Sequence, residues 1–159
     1  MNDALFSTRT SGWSLTTSRL AVAGLMLAHG LWKLGAWGGP GFDGSMRFFT
    51  EALHLPAAVG VLVVLGETAG ALLLAAGAFT RIAAAGVVVT MLGAIATVHW
   101  PNGFFMNWTG TSAGEGFELH LLVLAMAGQL LVYGGGRAAL DPHLARYFAA
   151  PPRPLAGAA

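Results

Sequence analysis

The chain has 159 residues, of which 55% are hydrophobic and only 9% are charged. Soluble domains carry about 25% charged residues, so this composition excludes a water-facing globular protein and predicts a protein of the lipid bilayer. There are no cysteines, which excludes disulfides, thiolate metal ligands and a cysteine nucleophile. The formal net charge of +1 provides no basic field, so we expect no nucleic-acid partner.

The first apolar segment is predicted as a helix over residues 15–37, behind a flexible tail of residues 1–14. It carries His29 and Lys33, and this four-residue spacing puts both on one face of a helix. An imidazole and an ammonium in a lipid-length segment are costly, so they normally face partners in the interior of a bundle. These two residues therefore mark a candidate site, whereas Arg19 near the start of the helix is expected to snorkel to the interface.

Three further spans follow a glycine-rich break, and a short amphipathic helix over residues 45–55 precedes them. The predicted spans cover residues 56–79, 82–98 and 117–133. The amphipathic helix is typical of a segment in the membrane interface, and a loop helix packed on the bundle is an equal alternative. The turn at Thr80 and Arg81 is so short that the second and third spans must be antiparallel neighbours. We therefore predict an all-α four-helix membrane bundle over residues 15–141, then a surface helix and a disordered tail over residues 142–159.

The distribution of basic residues predicts the orientation, because four spans place both termini on one side of the membrane. That side would carry Arg9, Arg19, Arg81, Arg137, Arg146 and Arg153, and the other side only Lys33 and Arg47. The positive-inside rule then puts both termini of this multi-pass protein in the cytoplasm.

The polar side chains of the spans are predicted to gather in the outer half of the bundle, with nothing comparable at the cytoplasmic end. They are His29, Lys33, Glu67, His99, Glu118 and His120. Glu67 lies about 16 Å along its helix at a rise of ~1.5 Å per residue, near the middle of the membrane. A carboxylate at that depth is expensive without a role, which makes Glu67 the strongest functional candidate. The structural alternative is that the buried histidines are only hydrogen-bonded groups and that Lys33 snorkels.

Depth along the helices predicts how these groups pair. Lys33 and Glu118 are both near the outer rim and could form an ion pair. His29 is deeper and closer to Glu67. If Glu67 lacks a cationic partner, we predict that it is neutral or shares a proton with His29. Glu118 and His120 are two residues apart and cannot share a face. We expect Glu118 to point inward and His120 to face the loop or a partner.

A series of motifs runs along the chain. They are the run from His29 to Gly35 with Gly38 and Gly39; Glu67 with Gly70, Leu72 to Leu74, Thr80 and Arg81; Met91 and Ala94; His99 with Asn102 to Phe105; Gly116 to Glu118; and Gly134, Gly136, Arg137 and Asp141. In this order they resemble the DoxX family of small bacterial membrane proteins, over about Arg19 to Asp141. Gly135 departs from the family pattern, which favours proline there, and we expect this to affect only the last turn of the bundle.

The resemblance implies a four-helix bundle in the bacterial inner membrane that is associated with quinone-linked redox chemistry. Family members occur as small subunits of quinol oxidases or thiosulfate–quinone oxidoreductases, and in membrane redox complexes that handle oxidative stress. A quinone head needs hydrogen-bond donors at its carbonyl oxygens and a proton acceptor nearby when the quinol is oxidised. The polar cluster can supply these groups, with Trp32, Trp37 and Phe104 as stacking surfaces.

We therefore predict a quinone-interacting subunit of a membrane redox complex, with Glu67 and His29 as the catalytic candidates. The ligand-binding candidates are His29, Lys33, Glu67, His99, Glu118 and Trp32. Whether the chain itself is an enzyme stays open; if it is one, it is a quinone-linked oxidoreductase subunit. Its expected partners are the lipid bilayer and either other proteins of a redox complex or copies of this chain.

Two alternatives stay open. A non-catalytic membrane scaffold or assembly factor would use Glu67 and His29 only to hold the helices together. It would dock a partner through the 45–55 helix and the aromatic loop before the last span. A metal-handling protein would bind copper or zinc through His29, His99 and His120 with a methionine. We expect neither such an ion nor a haem held by two of these histidines.

Overall fold

The computed structural model describes residues 12–148, and this part of the chain is helical, with no strand. Its six helices are α1 (Trp13–Lys33), α2 (Gly41–Arg47, continued by a π-helical turn over Phe48–Ala52), α3 (Ala57–Ala76), α4 (Thr80–Asn102), α5 (Glu118–Tyr133) and α6 (Asp141–Phe148). α1 begins at Trp13, so the last two residues of the predicted flexible tail, residues 13 and 14, are helical. The rest of that tail and the predicted disordered end of the chain lie outside the described residues.

Two helices of the described part are long and apolar enough to cross a membrane. α3 has 20 residues at a mean hydropathy of 2.1, and α4 has 23 residues at 2.0. α1 qualifies only together with the segment that contains α2, and the two are bent by 84° at the break between them. α5 is apolar but has only 16 residues, whereas a helix needs about 20 to cross the hydrocarbon core. The protein is therefore a membrane protein with several apolar helices, of which two, or three with the bent pair, are candidate spans.

α1 ends at Lys33, not at residue 37 as predicted. Gly35 adopts a left-handed φ of +104°, which glycine reaches without a side-chain penalty. Ser45 of α2 donates its hydroxyl to Lys33 O at 3.0 Å, and so satisfies one of the carbonyl groups that the end of a helix leaves free. The break therefore puts Lys33 at a corner where α2 crosses the end of α1.

The long helices share one apolar core. α4 and α5 pack closely on each other, and α1 packs against both α3 and α5. The buried residues between them are Leu15, Val22, Ala23, Met26, Ala71, Leu74, Ala84, Val87, Met91, Val123, Ala127 and Leu130. α3 and α4 are joined by a turn in which Gly77 and Phe79 are both left-handed, so these two helices run antiparallel.

A buried polar cluster lies where this turn meets the start of α1 and the chain after α5. Arg19 is 1% exposed and donates from Nη1 to two carbonyl oxygens at the end of α3, at 3.1 and 2.9 Å, and from Nη2 to Ala138 O at 3.0 Å. Asp141 is also buried and accepts a 3.2 Å hydrogen bond from Thr80 N. A Cβ at Gly135 would lie 2.6 Å from the Thr80 hydroxyl, so this departure from the family pattern touches the cluster. The predictions that Arg19 snorkels and that buried polar groups occur at one end only are both wrong.

Candidate functional site

The polar side chains of α1 and α3 meet in a buried ion pair. Lys33 Nζ donates to Glu67 Oε2 at 2.6 Å, and the two side chains are 17% and 6% exposed. The predicted pairing of Lys33 with Glu118 is therefore wrong, and so is the premise that Glu67 lacks a cationic partner. Depth along the helix misled the prediction because the flexible lysine stem carries its ammonium well away from the Cα position.

The pair forms because α1 and α3 cross in backbone contact at Gly30. A Cβ at this position would lie 2.6 Å from both Glu67 O and Thr68 Cγ2, closer than real Cβ atoms come to other atoms. Glu67 itself lies on a π-helical turn, Gly66–Gly70. Such turns are rare and frequently occur at functional sites. The motif around His29 and Lys33 therefore contains the packing contact as well as the candidate site residues.

The ion pair lines a cavity of about 1050 Å³ to which α1, α2, α3, α4 and α5 all contribute. The ionisable side chains in its lining are those of His29, Lys33, Glu67, His99, Glu115 and His120. Much of the remaining wall is apolar, and residues of all three π-helical turns of the described chain belong to it. The volume is at the upper end of the ~300–1,000 Å³ range of small-molecule sites. A few polar groups that converge in a large apolar cavity suit an amphiphilic small molecule.

His99 and His120 border this cavity with their ring centroids 4.1 Å apart. His99 Nδ1 lies 2.8 Å from Glu115 O, and because a carbonyl oxygen only accepts, this nitrogen carries the proton. In the neutral ring, Nε2 is then an acceptor. His120 Nδ1 is buried and has no hydrogen-bond partner among the described residues. His120 was expected to face the loop or a partner, and it borders the cavity instead.

His29 and Trp32 border two cavities at once. Besides the large cavity they line a smaller one of about 430 Å³, together with Trp37. Trp37 lies just beyond α1, is left-handed at a φ of 51° and is 74% exposed. His29 also lies within electrostatic range of Lys33 and Glu67. It therefore stands in the wall between the ion-pair cavity and a pocket at the surface.

Glu118 is not among the residues that line the large cavity, although it was predicted to point inward. Its Oε1 accepts hydrogen bonds from Met106 N at 3.0 Å and from Trp108 Nε1 at 2.9 Å, so it holds the loop between α4 and α5. Phe104, predicted as a stacking surface for a ligand, packs edge-on against Phe117 in the same loop. Apart from Glu118, all the predicted ligand-binding residues line the cavity.

The histidines do not assemble into a metal site. Within residues 12–148, no three His, Asp or Glu side chains stand close enough together to hold an ion. The metal-handling alternative requires His29, His99 and His120, which all line the cavity but do not stand close enough together to hold an ion.

The apolar part of the site was not identified from the sequence. Its walls include Phe48 and Phe49 of α2, Leu62 of α3 and Val89 of α4. Apolar residues of these kinds fill every membrane segment of the chain. No pattern distinguishes those that border the cavity from those that face lipid.

Comparison with known proteins identifies the family. A family model described as DoxX matches residues 14–100. The matched region contains four of the six ionisable side chains that line the cavity, namely His29, Lys33, Glu67 and His99. No curated protein and no solved structure matches the chain. Because the matched residues make up more than half of its length, this chain belongs to the DoxX family.

Proposed function

We propose that this DoxX-family protein is a quinone-interacting subunit of a membrane redox complex and that its large cavity holds the quinone head. In this proposal α1, α3, α4 and α5 form a four-helix bundle in the bacterial inner membrane, with both termini in the cytoplasm. The observation that carries the proposal is the buried Lys33–Glu67 ion pair beside a large, mainly apolar cavity. Ionisable side chains within membrane-spanning helices are functional-site candidates by default.

The groups around the cavity suit a quinone head. The Lys33 ammonium has three donors, and its contact with Glu67 uses one, so others remain for a carbonyl oxygen of the ring. The imidazoles of His29 and His120 are available for the second carbonyl oxygen, and Trp32 offers a flat surface to the ring. These side chains match the two polar edges and the flat face of a quinone.

The proposed redox step is the oxidation of a quinol to a quinone, which releases two protons and two electrons. The protons pass to Glu67 and then to His29, which borders the smaller cavity at the surface. The electrons pass to a redox cofactor held by a partner subunit. The role of this chain is therefore to bind, orient and deprotonate the quinol.

A membrane scaffold or assembly factor is the second candidate, and two observations favour it. The Lys33–Glu67 pair and the Gly30 contact join the same two helices, so the pair could serve packing alone. The loop between α4 and α5 also exposes Phe105 and Trp108, which could contact a partner protein. However, a buried ion pair adds little net stability over apolar residues of the same volume, so packing alone is a weak reason for it.

Native mass spectrometry of protein purified in mild detergent with native lipid distinguishes the two candidates. We expect a bound quinone on the wild type and on the control Glu51→Gln, whose carboxylate is exposed on α2 and outside the cavity. Glu67→Gln should carry none, and thermal unfolding of both variants establishes that they are folded. Wild-type protein without quinone but with a stoichiometric protein partner would refute the redox proposal in favour of the scaffold.

A further inference from the structure

Residues of both α3 and α4 line the large cavity. The two helices are close near their connecting turn, but the first half of α3, Ala57–Leu65, makes hardly any contact with α4. Leu62 of α3 and Val89 of α4 both line the cavity and are nevertheless 67% and 70% exposed, so the cavity reaches the surface of the protein along these two helices. These helices are the two clearest membrane spans of the described chain, so the gap faces the acyl chains of the bilayer.

Glycines border the gap on both helices. Gly66 of α3 and Gly86 and Gly93 of α4 line the cavity, and a Cβ at any of them would meet no atom within 4 Å. At Gly30 and Gly60, in contrast, a Cβ would lie within 3 Å of protein atoms, so those two glycines serve helix packing. The glycines of the gap therefore leave a channel that no contact among the described residues fills. We call this channel, between Leu62 and Gly66 of α3 and Gly86, Val89 and Gly93 of α4, the α3–α4 slot.

The slot is continuous with the polar part of the cavity. Gly66 precedes Glu67 in the chain, and the same cavity is bordered by His120, whose buried Nδ1 has no partner among the described residues. One molecule can therefore place a polar head at the Lys33–Glu67 pair and a hydrocarbon tail between α3 and α4. A volume of about 1050 Å³ exceeds what a single ring requires. Sites for drug-sized ligands measure ~300–1,000 Å³, so this cavity has room for a tail as well as a head.

We propose that the α3–α4 slot holds the prenyl tail of the quinone and that the quinone reaches the cavity laterally from the bilayer. This inference rests on the proposed function and adds to it the route and the tail. The charge of the head region favours a quinone over a phospholipid. An anionic phosphate would meet the Glu67 carboxylate 2.6 Å from the Lys33 ammonium, whereas a neutral quinone adds no charge to the pair.

The test fills the slot without touching the head site. Gly93→Phe places a ring in the slot, and Gly24→Phe is the matched control, because Gly24 is also exposed, its Cβ would also meet no atom, and it does not line the cavity. Leu62→Trp fills the slot from α3 if Gly93→Phe unfolds. Each protein is titrated with a long-tailed ubiquinone and with an analogue that carries a single isoprene unit, and binding is measured by native mass spectrometry.

We expect Gly93→Phe to bind the long-tailed quinone at least about tenfold more weakly, since each buried methylene is worth ~0.8 kcal/mol and tenfold is ~1.4 kcal/mol. Binding of the short analogue should stay at the wild-type level, and Gly24→Phe should bind both quinones normally. If Gly93→Phe and Leu62→Trp bind the long-tailed quinone as the wild type does, the slot assignment is wrong while the proposed function stands.

Three other results would also overturn the inference. Loss of both quinones from a folded Gly93→Phe protein would mean that this position belongs to the head site. Wild-type protein that binds neither quinone would refute the proposed function itself. A phospholipid that copurifies with the wild type and is lost from Gly93→Phe, without quinone binding, would assign the slot to an acyl chain.

Discussion

Gly30→Ala is expected to destabilise the protein relative to Gly24→Ala on the same helix. At Gly30 the added carbon would lie 2.6 Å from Glu67 O and from Thr68 Cγ2, roughly 0.8 Å inside ordinary van der Waals contact. At Gly24 it would meet no atom within 4 Å. Because one obstacle at Gly30 is backbone, α1 and α3 must move apart, and overpacking of this kind costs about 1–3 kcal/mol. Both variants gain the same ~1 kcal/mol of helix propensity, so their difference isolates the packing cost.

Thermal unfolding of the two variants in one detergent measures this difference. A kilocalorie per mole corresponds to roughly 3 °C for a chain of this size, so Gly30→Ala should unfold about 3–9 °C below Gly24→Ala. Gly24→Ala should unfold at or slightly above the wild-type temperature. Quinone binding should weaken only in Gly30→Ala, because separation of the helices lengthens the 2.6 Å contact between Lys33 and Glu67. Equal unfolding temperatures for the two variants would refute the backbone contact at Gly30.

Two further substitutions separate binding from stability. The double variant Lys33→Met/Glu67→Met should unfold within a few degrees of the wild type, since apolar replacement of a whole buried ion pair is often close to neutral. It should nevertheless lose quinone binding. A quinone that stays bound to this variant would show that the pair serves packing alone. Arg19→Met removes the donors of three carbonyl contacts and should lower the free energy of unfolding by several kcal/mol, at about 1–3 kcal/mol for each carbonyl left buried without a partner. The Arg19→Met protein that remains folded should bind quinone normally, and selective loss of affinity would contradict the separation of the two clusters.

The polar residues of the site were identifiable from the sequence, but their partners were not. His29, Lys33 and Glu67 stand out because ionisable side chains are rare in apolar segments. Their arrangement depends on the crossing at Gly30, on the π-helical turn that carries Glu67 and on the end of α1 at Lys33. The prediction assumed an ideal helix that ends at residue 37 and included none of these three features. It therefore paired Lys33 with the wrong carboxylate.

The Arg19 cluster was missed for a different reason. Two of its acceptors are backbone carbonyl oxygens at the end of α3, and every helix end has such groups whatever its sequence. A third is Ala138 O, which lies 119 residues away in the chain. An arginine near the start of an apolar segment is also the usual pattern of a snorkelling side chain. Only the tertiary packing of α1 against α3 and the chain after α5 decides whether this arginine snorkels to the interface or is buried.

The two ends of α1 carry cations in contrasting surroundings, and this contrast favours one end as the site. Arg19 is 1% exposed, both of its Nη atoms donate to backbone carbonyl oxygens, and it lines neither cavity. Lys33 donates to Glu67 beside a cavity of about 1050 Å³, with ammonium donors left over. The Arg19 cluster does contain buried polar atoms without a hydrogen-bond partner among the described residues, namely Arg19 Nε, Thr80 Oγ1 and Asp141 Oδ1. None of these three residues lines either cavity, so neither cavity brings a ligand to them. A ligand can therefore meet spare donors at Lys33, beside a cavity large enough to hold it, and not at Arg19, although α1 carries both.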